Sequence, residues 1–276
     1  MTYATLMVCL RLERGNANLL NIAGGLAERF KAEAIGVAAR QPTPFVYSDS
    51  YVPQELVEQD REAIKNSVKL AEEEFRTALA GRASGLRWRS SIMFGPLSDY
   101  IAGEARGADL LLISGDPEGS GYDPITDVNV GDLAMRAGRP ILVTPDAHDH
   151  FDLRCAVVGW KDTRETRRAI VDAVPLLRAA EQVSVVEIAD RDDLPDARVR
   201  LDEVVGWLGR HGVTAQAVAS PAKGDDAREL KAIVREQGAD LIVAGAYGHS
   251  RLREWVLGGV TRNLLLHTTH CALVSH

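Results

Sequence analysis

The tetrapeptide Gly107-Ala108-Asp109-Leu110 returns as Gly238-Ala239-Asp240-Leu241, and around each copy short apolar runs alternate with amphipathic segments in the same order. This repetition limits the possible folds more than any other feature of the chain. A length of 276 residues permits one large domain or two ordinary ones, and self-similarity selects two copies of one unit. Short apolar runs alternating with amphipathic segments are the sequence form of a mostly parallel sheet covered by helices. The expected architecture is therefore α/β, with two tandem five-stranded, mostly parallel sheets flanked by helices. The first unit is expected over 1–146 and the second over 153–276, joined by a polar linker around Pro145. His148 and His150 in that linker have no third or fourth ligand nearby in sequence, so they read as solvated side chains and not as a metal site.

In the first unit, strands are expected at 4–10, 34–39, 86–94, 109–114 and 140–144, with helices at 17–30, 53–80 and 96–106. The long helix is the best marked, because Val57, Ile64, Val68, Ala71 and Phe75 recur on one helical face. Pro42 and Pro44 mark an irregular excursion over 41–51. The second unit predicts strands at 155–160, 183–189, 213–220, 240–244 and 271–275, and helices at 164–180, 195–212, 225–237 and 259–269.

A net charge of -7 without a basic cluster speaks against nucleic acid or anionic lipid as a partner. Cys9, Cys155 and Cys271 lie far apart inside apolar runs, where a cysteine is usually a small buried side chain, and this suits a reducing compartment. No basic leader stands at Met1–Leu10, and no run approaches the roughly 18 apolar residues that span a bilayer. A cytoplasmic location is expected.

In an open parallel sheet, ligands bind beyond the carboxyl ends of the strands where strand order reverses. That points to the loops after the first and fourth strands of each unit. In the second unit the fourth strand runs into Gly245-Ala246-Tyr247-Gly248-His249-Ser250, and Gly258-Gly259-Val260-Thr261 opens the next helix. A phosphate must approach backbone amides left unpaired at a helix start, and a β-carbon there would intrude. Gly258 and Gly259 meet both conditions, and the helix dipole favours an anion at that terminus by about 0.3–1 kcal/mol. Gly245 and Gly248 would let the loop turn sharply over the strand end. Without a ligand, the same glycines read as a tight strand-to-helix connection.

The series Gly245, two residues, Gly248, nine residues, Gly258, followed by Val260-Thr261-Arg262-Asn263 and the closing strand Cys271-Ala272-Leu273-Val274, resembles the ATP-binding signature of the universal stress protein family. The resemblance extends over both units. It implies the adenine-nucleotide alpha-hydrolase type of fold and ATP or a related adenine nucleotide, accompanied by magnesium, as a regulatory ligand with slow or no hydrolysis. It places the binding residues at Gly159, Trp160, Lys161, Asp162, Gly245, Gly248, His249, Gly258, Gly259, Val260 and Thr261. It also implies that the last strands of the two units, 140–144 and 271–275, pair within the chain, and it allows further homodimerisation.

Two positions depart from the family pattern. Gly259 stands where nucleotide-binding members carry Ser or Thr, which removes a hydroxyl contact worth roughly 0.5–1.5 kcal/mol. Lys161 stands where such members carry an Asp for the nucleoside, with Asp162 one residue later. Trp160 has two readings, stacking on a base or filling space beside the adjoining helix.

In the first unit the equivalent loop begins Ser114-Gly115-Asp116, and Asp116, Glu118, Asp123, Asp127 and Asp132 crowd it. Carboxylates repel phosphate, and aligning the units through Asp109 and Asp240 sets Gly131 opposite Arg262, so no nucleotide site is expected there. A cation could use such an acidic loop, although its spacing does not follow an EF-hand. No Walker loop, nucleophile elbow, His-Glu-x-x-His or Cys-x-x-Cys is present. The leading expectation is a nucleotide-binding stress-response protein. The alternatives are a family member that assembles with partners without nucleotide, and an adenylating enzyme.

Overall fold

The computed structural model describes residues 2–44, 53–115, 123–145, 151–246 and 270–276. Their strands form one sheet of ten, in the order β3-β2-β1-β4-β5-β10-β9-β6-β7-β8. The first half supplies β1 (Thr5–Cys9), β2 (Glu33–Arg40), β3 (Leu86–Ile92), β4 (Leu110–Ser114) and β5 (Ile141–Thr144), and the second supplies β6 (Cys155–Trp160), β7 (Gln182–Ala189), β8 (Gln216–Pro221), β9 (Leu241–Gly245) and β10 (Cys271–Ser275). Within each half every pairing is parallel. The two five-stranded halves join where β10 meets β5 antiparallel, with Leu273 opposite Leu142. The terminal-strand pairing implied by the family resemblance thus turns two sheets into one and leaves only β3 and β8 at its edges.

Alternation along each strand sorts the core into two faces. Leu6, Val8, Leu110, Leu112, Leu142, Ala156, Val158, Leu241, Val243 and Leu273 belong to one cluster that runs through both halves. It is covered by α1 (Ala17–Phe30), α2 (Gln54–Leu79), α5 (Arg164–Ala179) and α6 (Leu194–Arg210). On the opposite face, Met7, Cys9, Leu111 and Ile113 pack under α3 (Leu97–Glu104) and α4 (Val130–Ala137). There Cys155, Val157, Ile242 and Ala272 pack with Leu230 and Val234 of α7 (Asp226–Glu236). The inner strands are apolar on both faces, as parallel strands between two helix layers must be. The edges are wetter: β3 carries Arg87 and Arg89, and β8 ends in Pro221, which an edge strand tolerates. All three cysteines are buried and free.

The repeated Asp has a structural reason. Asp109 accepts hydrogen bonds from the backbone N–H groups of Ala4 and Thr5, at 2.8 and 3.0 Å, and Asp240 accepts one from Arg154, at 2.5 Å. Each carboxylate ties the entry of a half's fourth strand to the entry of its first strand. The neighbouring glycines diverge: Gly238 is left-handed (φ +60°) and closes α7, with Ala239 N–H donating to Val234 O at 3.0 Å, whereas Gly107 lies in a short 3-10 turn.

Two expected elements are corrected. The strand expected from 213 begins at Gln216, because Val213 closes α6: Gly212 is left-handed (φ +75°), and Val213 N–H donates to Leu208 O at 3.0 Å. This arrangement satisfies the last carbonyls of the helix and buries Val213 against it. The acid-rich stretch before β5, read as loop, contains α4. Asn129 caps it by accepting from Asp132 N–H at 2.9 Å, and Val130, Leu133 and Ala134 form its buried stripe. The helix expected at 259–269 lies outside the described residues.

Candidate nucleotide site at the end of the second half

Strand order reverses around β6, which has β9 on one side and β7 on the other, with Gly159 level with Ala244. This is the crevice position of an open α/β sheet. The chain leaves β6 through Lys161 and Asp162, both exposed, and enters α5 at Thr163, whose hydroxyl accepts from Thr166 N–H at 3.4 Å. Asp162 pairs with Arg167 at 3.3 Å. Lys161, Arg164 and Arg167 therefore set three exposed cations around the strand end. Trp160 is 8% exposed and packs into the core cluster with α5.

Helix packing requires Gly245 and crowds Gly159, the two glycines of this crevice among the described residues. A β-carbon on Gly245 would lie 2.6 Å from Thr166 N and 2.7 Å from Glu165 C, the backbone of the first turn of α5. A β-carbon on Gly159 would lie 3.1 Å from Leu230 Cδ2, where α7 crosses the sheet. Gly245 is a paired strand residue opposite Ser275, without the positive φ that a sharp turn would need. Its job in the fold is to let α5 sit on the strand end. Gly248, His249, Gly258, Gly259, Val260 and Thr261 lie outside the described residues.

Glu165, on that same first turn, is 8% exposed and forms an ion pair with Arg164 at 2.9 Å. Desolvation is the largest single influence and would raise its pKa. Hydrogen bonds from its own backbone, Arg164 and Thr163, with the Arg164 charge, together outweigh it, and the pKa falls below the usual value. A pKa lowered by folding gives stability that is complete above the ordinary carboxylate range and is lost as pH falls through it. Glu165→Gln should therefore flatten part of the acid limb of the stability curve below about pH 4.5. The expected size is about 0.3–1 kcal/mol, as for a carboxylate at a helix start, and urea titrations at pH 3.5 and pH 7 measure it.

The equivalent crevice of the first half is described only in part, because 116–122 lie outside the described residues. Among the described residues, Cys9, Arg11, Ala39, Ile113, Ser114 and Asp127 line a small pocket of ≈ 20 Å³ there, room for about one water molecule. A guanidinium N–H of Arg11 donates to Ser114 O at 2.9 Å and Gly115 O at 2.5 Å, bridging β1 to the end of β4. Asp127, 5% exposed, accepts from Asp123 N–H at 3.0 Å and lies 3.8 Å from Arg14. Asn16, 2% exposed, holds the β1–α1 turn through Arg11 and Arg14 carbonyls and the Glu74 carboxylate. Neither Arg11 nor Asn16 stands out in the sequence. The only signal for Asn16 was a polar residue immediately before a helix.

No curated protein matches the chain. Residues 212–276 match the model of the Universal stress protein family. Among solved structures, a universal stress protein from Archaeoglobus fulgidus DSM 4304 superposes with a TM-score of 0.72 at 13% identity, covering 99% of this chain and 98% of that one. A functionally unknown protein from Pseudomonas aeruginosa PAO1 superposes with a TM-score of 0.63 at 14% identity, over 99% of this chain and 92% of that one. At such identities the superpositions speak for the fold alone. The chain thus has the tandem two-domain fold of the universal stress proteins, and its carboxy-terminal 212–276 match that family's model.

Proposed function

We propose that the protein binds ATP or a related adenine nucleotide in its second half as a regulatory ligand in a stress response. The observation that carries this reading is that the series Gly245, Gly248, Gly258 leaves β9 where strand order reverses beside β6. On this reading the amides at Gly258 and Gly259 meet the polyphosphate with magnesium. Lys161 at the crevice mouth adds a positive charge, so the departure from Asp serves phosphate instead of nucleoside. The reading divides the chain into a unit without nucleotide over 1–146 and a ligand-binding unit over 153–276. It also places the protein in the cytoplasm, in keeping with three buried free thiols. No helix among the described residues is long and apolar enough to cross a membrane.

Isothermal titration of the full chain with ATP and magnesium tests it. The wild type should give a saturable heat, and Gly258→Val should weaken binding at least about 30-fold, because its side chain blocks the approach of phosphate to the amides. Gly258→Val should leave the thermal midpoint within a few degrees of wild type. Absence of any saturable heat at millimolar ATP would remove the nucleotide reading and favour an assembly protein without nucleotide.

A further inference from the structure

Glu229 is a buried carboxylate that the fold leaves half used. It lies on the first turn of α7 and is 9% exposed. Its Oε1 is 3.6 Å from Lys223 Nζ, whereas Oε2 is buried and meets no donor among the described residues. It does not serve as the helix cap, because Asp225 accepts from the N–H groups of Ala227 and Arg228, both at 3.1 Å. A buried charged oxygen without a donor is costly, and Lys223 is 74% exposed, so their pair offsets little of that cost.

The position of Glu229 gives the orphaned oxygen a use. Helix α7 packs over β6, with Leu230 against Gly159 and with Val186 and Ile188 of β7 and Ile242 and Ala244 of β9 around the same cluster. The glycine series leaves from β9, on the other side of β6. Leu230, the neighbour of Glu229, thus brings the first turn of α7 to β6, the strand beside which the series leaves. Other carboxylates near the mouth are engaged: Asp162 with Arg167, and Glu165 with Arg164.

Resting on the nucleotide reading above, we propose that Glu229 is the specificity-determining residue of this site. Its Oε2 accepts a hydrogen bond from an uncharged donor on the nucleoside, either a ribose hydroxyl or the exocyclic amine of the base. The carboxylate that the strand end lacks at Lys161 is supplied from α7 instead.

The test uses the full chain with magnesium and four ligands: ATP, 2′-deoxy-ATP, 3′-deoxy-ATP and inosine triphosphate, whose base lacks the amine. Wild type should bind ATP about 10-fold or more tightly than at least one of the other three, which identifies the donor. Glu229→Met should lose that discrimination and bind ATP as weakly as the disfavoured analogue. Glu229→Gln, which keeps an acceptor oxygen, should retain part of it. Without ligand, Glu229→Met should melt no lower than wild type, since it removes a buried charge while keeping the volume. ATP binding by wild type with unchanged ratios in Glu229→Met would overturn this assignment and leave the nucleotide reading standing. No binding of any of the four ligands by wild type would overturn both.

Discussion

Gly245→Val is expected to destabilise the protein by about 3 kcal/mol or more, the upper end of overpacking costs. The clash partners decide the size. The new β-carbon would meet Thr166 N at 2.6 Å and Glu165 C at 2.7 Å, and both are main-chain atoms that no rotamer change can move aside. The strand cannot yield either, because β9 is paired to β6 on one side and to β10 on the other. Helix α5 must therefore lift at its first turn, which exposes Glu165 and Thr166, both buried, and loosens Ala169 and Ile170 behind them. For a chain of this size the loss corresponds to a fall in thermal midpoint of about 6–12 °C, measurable by calorimetry. Gly245→Ala should show a large part of the effect, since the β-carbon alone makes the clash. A Gly245→Val protein that melts with the wild type would mean that α5 does not seat on this strand end.

The same comparison separates two kinds of glycine that sequence spacing merges. Gly245 and Gly258 belong to one series, yet Gly245 answers to the approach of a helix, whereas Gly258 is assigned to the approach of a phosphate. A substitution at Gly245 would therefore lose ligand through unfolding and report nothing on binding chemistry. Gly258→Val is the informative variant for titration.

What the sequence made legible follows the same divide between pattern and placement. Strands β6 and β10 and helix α1 fall where apolar runs and periodicity put them, because inner strands buried on both faces carry an unbroken apolar signal. Helix α4 is hard to read because the carboxylates at Asp123, Asp127 and Asp132 make the stretch look like an acidic loop and mask the Asn129 cap and the short Val130, Leu133, Ala134 stripe. The start of β8 was misplaced because an apolar Val213 after a glycine looks like a strand start whether it begins a strand or closes a helix. The site was legible only as a location. Spacing led to the crevice beside β6, but it carried no sign of the orphaned Glu229 oxygen or of the Arg11 bridge from β1 to the end of β4. Both depend on which side chains the topology brings together from distant parts of the chain.

Leu273→Asp should be the most damaging single change, costing about 4 kcal/mol or more, and it should weaken both halves together. Leu273 is fully buried and stands opposite Leu142 in the seam where β10 meets β5. Its cluster contains Leu6, Val8 and Leu112 of the first half as well as Val158 and Val243 of the second. A carboxylate placed there has no partner, and it either remains neutral, with its hydroxyl unpaired, or opens the seam to water. An open seam leaves β5 and β10 as bare apolar edges, which invite association between chains. Hydrogen exchange provides the measurement: slow amides in β1 and β4 should lose protection in parallel with those in β6 and β9, because the cluster around Leu273 runs through both halves of one sheet. If exchange rises only in β6–β10 while β1–β5 stay protected at wild-type levels, each half is stable by itself and the seam contributes docking alone. The distinction bears on regulation, since a ligand held in the second half can influence the first only as far as the β5–β10 pair transmits strain or order between them.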